Sequence, residues 1–433
     1  MNISEIKDTF RSLKYHNFRL YFTGQSISLI GTWIQRITMP WLVYHMTGSS
    51  FLLGVVGFAG QFPTFLLSPF AGAYTDRYSK YRILILTQIL SMVQALLLTF
   101  LYFFKLINVW HIIILSIFLG CINAFDMPGR QSFIIKLIEN KNDLSNAIAL
   151  NSTIVNIARL LGPSIAGILI ATTNEGICFL INGLSYIFVI ITLINIKIKE
   201  ETDNNNNCDT SIWEDIKEGF SYAFNNKTIK SILLLLGLIS LMGMPYTVLM
   251  PVFVKKILNG DSYTFGFLMG AAGVGALLGT LYLASRKNIE NISKIITISA
   301  AISGFGLIAF SFSRFFSISL ILIMIIGFGL ILNMASSNTM LQTIAEDNFR
   351  GRVMSYYTMA FMGTAPFGSL MAGSMATTVG VANTILISGI VCVLGSIIYG
   401  KNIQLYVYKN YVKPLIKKLA FIFSTIKQKN DKL

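Results

Sequence analysis

Charge is what this sequence has least of. Only 12% of its 433 residues are Asp, Glu, Lys or Arg, whereas an average soluble domain has roughly 25%. So few charges cannot cover the surface of water-soluble globules of this length, which excludes an ordinary soluble enzyme and a disordered regulator. Histidine is equally scarce: His16, His45 and His111 are scattered, and no Ser/His/Asp arrangement or metal cluster forms around them. No catalytic residue, metal ligand or cofactor site is therefore expected. Cys121, Cys178, Cys208 and Cys392 lack disulfide or metal spacing and read as packing residues. There is no G-x-x-x-x-G-K-[ST] loop, so ATP is not expected to be hydrolysed by this chain. No early apolar core with a small-residue cleavage site follows Met1, so no secretory signal is expected. What abounds is apolar: 54% of residues are hydrophobic before the 34 glycines are counted. The expected solvent for most of this surface is lipid.

A membrane helix needs about 20 mostly apolar residues. Twelve runs meet that need, at 20–44, 51–74, 83–104, 109–125, 147–172, 176–196, 232–254, 265–283, 295–312, 316–334, 353–375 and 379–399. They are continuous rather than alternating, which favours helices over a barrel. Six spans, a polar middle and six spans suggest four parts: a bundle over 1–198, a linker over 199–230, a second bundle over 231–400 and a basic tail over 401–433. The linker holds four consecutive asparagines from Asn204. A capping pattern at Ser211 and Glu214 then precedes an amphipathic stripe of Ile212, Ile216 and Phe220. A short helix lying on the membrane surface is expected there. The tail stripe of Val412, Leu415, Ile416, Leu419, Phe423 and Ile426 suggests a second such helix. A solvated basic tail is the alternative.

The net charge of +15 could point to nucleic acid, but its distribution does not. Of the 34 Lys and Arg, 28 fall on the side that holds both termini and four on the other. That bias places both termini in the cytoplasm of a bacterial cell membrane protein. The expected partners are the lipid bilayer and a small-molecule substrate, with no nucleic acid and a monomeric state. Trp41 and Trp110 fall near outer span ends and read as interfacial aromatics.

The two halves resemble each other. Gly54 and Gly57 match Gly266 and Gly270, Asn123 matches Asn333, and Gly162-Pro163 through Gly167 matches Ala365-Pro366 through Gly373. Between the second and third spans runs Gly72-Ala73-Tyr74-Thr75-Asp76-Arg77-Tyr78-Ser79-Lys80-Tyr81-Arg82. A small residue beside a carboxylate and several cations can form an ion-pair latch at the cytoplasmic mouth. In the second half, the stretch from Gly279 to Arg286 has no acid at the Asp76 position. The fifth span contains Ala158-Arg159-Leu160-Leu161-Gly162-Pro163-Ser164-Ile165-Ala166-Gly167. Its proline bends the helix, and its small residues permit close packing.

The first stretch resembles the loop signature of the major facilitator superfamily, at Gly72, Asp76, Arg77, Lys80 and Arg82. The second resembles that superfamily's fifth-helix antiporter signature, at Gly162, Pro163 and Gly167. With Pro40-Trp41-Leu42-Val43-Tyr44 and the stretch from Phe125 to Gln131, the chain is similar to the twelve-span drug and siderophore exporters, a branch that includes enterobactin and macrolide efflux proteins. The resemblance implies an all-α membrane protein of two pseudo-symmetric six-helix bundles. It also implies alternating access driven by proton antiport, and export of a small amphiphilic molecule such as a siderophore or drug. By the same resemblance Asp126, with Arg130 one turn on, is placed to join the latch. A lipid or nutrient importer of the same fold, or a non-transporting membrane protein, is the alternative function.

Polar residues within the spans mark a candidate cavity. Gln25, Thr32 and Arg36 share a face of the first span, with Gln35 beside them, and Asn156 and Arg159 share a face of the fifth. Gln61, Met244, Asn333 and Thr358 complete the candidate lining. Charges at the bilayer centre are costly and are functional hypotheses by default. Two cations with no Asp or Glu inside a span favour an anionic or strongly hydrogen-bonding substrate. The alternative is that each arginine pairs with helix-end carbonyls or snorkels. Asp76 and Asp126 are the acids nearest a span for a proton site. Substrate charge coupled to the membrane potential is the other source of drive.

Overall fold

The computed structural model describes residues 10–196, 212–286 and 292–407; side chains at a few further positions, Asp76 and Arg77 among them, lie outside the described residues. The described chain is helical. Its helices are α1 (His16–Thr47), α2 (Ser50–Arg77), α3 (Lys80–Phe103), α4 (Val109–Lys136), α5 (Leu144–Thr172), α6 (Glu175–Ile194), α7 (Ile212–Asn225), α8 (Lys227–Leu238), α9 (Tyr246–Lys256), α10 (Ser262–Ala284), α11 (Ile292–Phe312), α12 (Phe316–Ile344), α13 (Asp347–Thr358), α14 (Ala365–Thr378) and α15 (Val381–Val407). Helix starts follow the polar residues between apolar runs. Ser49, Asn108, Asn174, Asn226 and Asp261 each accept a backbone N–H in the first turn that follows.

Among the described residues, ten helices are long and apolar enough to cross a membrane. The two expected spans outside those ten are α1, which carries Arg19 and Arg36, and the stretch through α13 and α14, which begins Asp347-Asn348-Phe349-Arg350-Gly351-Arg352. Both are nevertheless packed into the helical assembly, α1 against α5 and α6, and α14 against α2.

The two halves use the same neighbours. In the first, α2 packs on α4, α4 on α3, and α3 on α6; in the second, α10 packs on α12, α12 on α11, and α11 on α15. Two crossings join the halves, α2 with α14 and α5 with α10. They are equivalent under the repeat, because the strand of small residues on α2 matches that on α10 and the one on α5 matches that on α14.

Each half of the second bundle's central pair is broken by a widened turn. A π-turn over Ile239–Gly243 precedes Pro245, and another over Met359–Gly363 precedes Pro366. Proline lacks the N–H that would bond the carbonyl four residues back, so the turn before it loosens. The loosened turns face each other: the Ser240 hydroxyl donates to the Phe361 carbonyl, and Thr364 Oγ1 donates to the Gly237 carbonyl at 3.2 Å.

The helix expected on the membrane surface, α7, also packs on the protein. Tyr222 stacks on Phe349 at 4.2 Å, Phe220 meets Tyr356 edge-on, and Glu218 pairs with Arg352 at 2.6 Å. α13 thus takes up the Tyr222 side of α7, while Phe220 of the apolar stripe stays half exposed and the side chains of Ile212 and Ile216 lie outside the described residues. The linker before it, including the Ser211 cap, and the amphipathic stripe of the tail lie outside the described residues.

Candidate functional site

The crossings between the halves set the shape of the site. At one, a Cβ on Gly54 would fall 2.7 Å from the Ser369 carbonyl and 3.0 Å from the Gly373 Cα. At the other, a Cβ on Gly167 would fall 2.6 Å from the Ser262 carbonyl and 2.8 Å from the Gly266 Cα. Backbone touches backbone at both, which only glycine permits. The ends of α1 and α10 add a third contact, where Trp41 stacks on Phe265 at 5.4 Å with Lys255 over its ring. Trp41 is therefore a buried contact between halves, not an interfacial anchor, while Trp110 is 72% exposed as expected of one.

Further along α2 the seal continues through Gln61, whose amide donates to the Gly57 carbonyl at 3.1 Å and reaches Ser369 Oγ at 3.5 Å. Phe58 and Phe62 then meet Phe367, and Phe65 packs against Gly363. Beyond this point the crossing ends. Gly72, nearer the terminal face, has nothing within 4 Å of an added Cβ. The halves are joined at the face away from the termini and separate toward the termini.

Arg36 and Arg159 lie where the halves begin to part. Their guanidinium groups approach one ring, that of Trp33, at 4.8 and 5.5 Å from its centroid. Trp33 is seated against Gly162 of the fifth-span motif, where a side chain would collide with it. Among the described residues neither arginine has an ion-pair partner, and Arg159 Nε is buried without a hydrogen bond. Arg36 is accessible although it lies well inside α1, so it faces an open space between helices. Asn156, Thr32 and Met244 are partly accessible, and Thr358 is exposed.

Other residues expected in the cavity are placed elsewhere in this conformation. Gln35 is buried within the first half, donating to Gln94 Oε1 at 2.9 Å and accepting from Asn182 Nδ2 at 2.8 Å. Gln25 is likewise buried. Asn333 donates to the Ile296 carbonyl at 2.9 Å and ties α12 to α11. A polar residue on a helix stripe can face a neighbouring helix as readily as water. Only a matching partner separates the two cases, and Gln94 and Asn182 are those partners.

At the loops on the face that holds the termini, Asp126 is held inside the first half. It accepts from Thr87 Oγ1 at 3.0 Å and Gln88 Nε2 at 2.7 Å, and it pairs with Arg130. Lys80 and Arg82 begin α3 nearby. A second network was not foreseen. Tyr15 and Lys14 each reach an Asp143 oxygen at 2.8 Å, Arg11 reaches the other at 3.0 Å, and Ser12 bonds Asn146. The N-terminal turn is clamped to the start of α5. At the opposite face, Glu175 is a buried acid just before the run from which the sixth span was drawn; Tyr102 donates to it at 2.7 Å and His45 lies at 3.2 Å.

A family model described as transmembrane secretion effector matches residues 7–415. The chain is 29% identical to the staphyloferrin A transporter of Staphylococcus aureus over 373 residues, 86% of this chain and 92% of that protein. It is 23% identical to macrolide efflux protein A of Streptococcus pyogenes over 389 residues, 88% of this chain and 96% of that one. Among solved structures, a bacterial homolog of the human lysosomal transporter Spinster shares its fold, with a TM-score of 0.70 at 12% identity, covering 89% of this chain and 97% of the other.

Proposed function

The chain belongs to the transmembrane secretion effector family, and on that premise we propose that it is a secondary exporter that carries a small amphiphilic molecule outward by alternating access. It is a multi-pass transporter of the bacterial cell membrane with the major facilitator fold, and it is not an enzyme. We propose twelve crossings, α1 and the α13–α14 stretch supplying the two less apolar ones, with both termini in the cytoplasm. The natural division is a bundle over 1–198, a linker over 199–230, a bundle over 231–400 and a tail over 401–433.

One observation supports this reading most. The halves meet backbone to backbone at one face, while two unpaired arginines lie where they part toward the other. A rocking of one half on the other about such a seam would expose the arginines to each face in turn. On the proposed orientation this conformation opens to the cytoplasm, as an exporter awaiting cargo would. Relatives named for staphyloferrin A and macrolides favour a siderophore or drug as that cargo.

Protons are the proposed source of energy, since one proton moving through 100 mV supplies about 2.3 kcal/mol. Asp76 and Asp126 remain the proposed latch acids, with Gly72, Arg77, Lys80, Arg82 and Arg130 as their companions. The test is uptake of labelled macrolide and labelled staphyloferrin A into inverted membrane vesicles. Accumulation of either that depends on this chain and collapses with a protonophore is expected. Chain-dependent accumulation in right-side-out vesicles alone would instead support an importer.

A further inference from the structure

A cavity of about 450 Å³ opens at the face away from the termini, between the last turns of α1, the end of α3 and the start of α6. It is separate from the space between the halves, because all three helices belong to the first half. Part of its lining is polar. Glu175 is a buried carboxylate there: Tyr102 donates to one oxygen at 2.7 Å, and His45 Nδ1 lies 3.2 Å from the other. A Cβ on Gly176 would collide with the Tyr102 ring, so glycine at that position lets the ring lie against α6 with its hydroxyl on the acid. Another part of the lining is apolar, and there Met46 and Phe103 are half exposed.

Lys105 lines the same cavity and is exposed. It follows the end of α3 with a φ of 57°. Its N–H reaches the Tyr102 carbonyl at 3.0 Å, and the Leu106 N–H reaches the Leu101 carbonyl at 2.8 Å. Glycine or asparagine is usual at such a helix end, because a Cβ strains the left-handed conformation. A lysine is held there instead, and among the described residues its ammonium has no ion-pair partner.

An ionised carboxylate offers about four acceptor sites, of which Tyr102 and His45 use two. The cavity thus presents an acid with acceptor sites to spare, an unpaired cation and an apolar flank. It lies where spans end, on the same face as exposed Trp110, which is headgroup level. We propose that it holds the headgroup of a phospholipid that bears a primary amine, of the phosphoethanolamine type. The ammonium meets Glu175, the phosphate meets Lys105, and the adjoining hydrocarbon lies along Met46 and Phe103. A quaternary amine has no N–H to give Glu175. A purely anionic headgroup would set a second negative charge beside a buried carboxylate.

The inference needs only a chain seated in a bilayer, and it holds for either direction of transport. The site touches the seam through α1. Leu42 and His45 line the cavity, while Trp41 in the same stretch of helix stacks on Phe265 of the other half. A bound headgroup therefore steadies the turn that helps to close that face.

The test places the full chain in nanodiscs of phosphatidylcholine, with part of that lipid replaced by phosphatidylethanolamine or phosphatidylglycerol. Lipid retained on extraction into detergent is counted by mass spectrometry, and the melting temperature is read in each disc. Phosphatidylethanolamine should be retained about tenfold over the other two, the effect of one charge-assisted hydrogen bond, and it alone should raise the melting temperature. Glu175→Gln and Lys105→Gln should each abolish the preference. Lys105→Gly separates binding from folding, since it removes the ammonium and the strain together: the melting temperature in phosphatidylcholine should rise while the preference is lost. Soluble phosphoethanolamine, which lacks the chains, should not displace the lipid. Equal retention of the three lipids by the wild type overturns the proposal, as does an undiminished preference in Lys105→Gly. Full displacement by soluble phosphoethanolamine would assign the cavity to a water-soluble ligand and overturn the lipid assignment.

Discussion

Gly54 and Gly373 lie backbone against backbone: a Cβ on Gly373 would stand 2.8 Å from the Gly54 Cα and 2.7 Å from the Ser50 carbonyl. Gly266 and Gly167, their equivalents in the other half, form the mirror contact, a Cβ on Gly266 standing 2.7 Å from the Gly167 Cα. The repeat thus seals one face of the protein twice with the same device. A glycine pair brings the two backbones into direct contact there, with the Gln61–Ser369 hydrogen bond and the Trp41–Lys255 contact beside it.

Gly54→Val and Gly167→Val should each bias the protein away from the sealed state. Overpacking of this kind costs about 1–3 kcal/mol, which is roughly a five- to 150-fold change in a two-state population. Alkylation of a cysteine placed at Trp41, from the face away from the termini, reads the bias. Faster labelling in both variants is expected, and an effect at only one of the two crossings would break the symmetry argued for them.

Gly162→Leu should act through Trp33. The new side chain would collide with the Trp33 Cβ and the α1 backbone behind it, and so shift the ring that both arginines cover. Transport should fall at least tenfold, as in Trp33→Ala. The double variant should be no worse than either single one, because residues in contact are not additive. Additive losses in a double-mutant cycle would place Gly162 and Trp33 in separate roles.

Gln35→Leu should lower stability rather than affinity. It takes from Gln94 Oε1 and Asn182 Nδ2 the hydrogen bonds they make to Gln35, at about 1–3 kcal/mol for a buried group so stranded. The melting temperature in detergent should drop, with KM for transport unchanged. A raised KM at unchanged stability would return Gln35 to the cavity.

The N-terminal clamp should respond to pH in a stated direction. Hydrogen bonds from Lys14 and Tyr15 hold the Asp143 carboxyl below its ordinary value, and the bond to Asp143 holds the Lys14 ammonium above its own. The carboxylate's contribution is present above its unfolded value of 3.8 and fades as pH falls through the lower folded value. The lysine's contribution is full below 10.5 and fades as pH rises through its higher folded value. Between those limits the clamp holds. Asp143→Asn should therefore speed tryptic cleavage after Arg11 and Lys14 at neutral pH, and unchanged cleavage would show that the turn is held by other contacts.

The sequence carried the fold because apolar runs and the lysine and arginine bias are one-dimensional properties. The repeat was legible too: the glycines that matched by spacing proved to be the residues at which the halves touch. What spacing could not supply was the partner. Gln35 and Arg36 are adjacent polar residues on one helix, yet one bonds inside its own half and the other faces the open space. Trp41 carried an aromatic's signal for the membrane interface, and only the position of Phe265 on another helix turned it inward. The same holds for Tyr222 of α7, which only the position of Phe349 on α13 turns into a packing residue.

Alternating access is tested most directly by paired spin-label distances in a functional variant with its native cysteines replaced. Labels at exposed Phe51 and Thr377 span the sealed face, and labels at exposed Tyr74 and Ser355 span the open one. Adding substrate and a proton gradient should lengthen the first distance while shortening the second. If both distances stay fixed, or both move in the same direction, the seam between the glycine pairs is not a hinge and the transport cycle described here is contradicted.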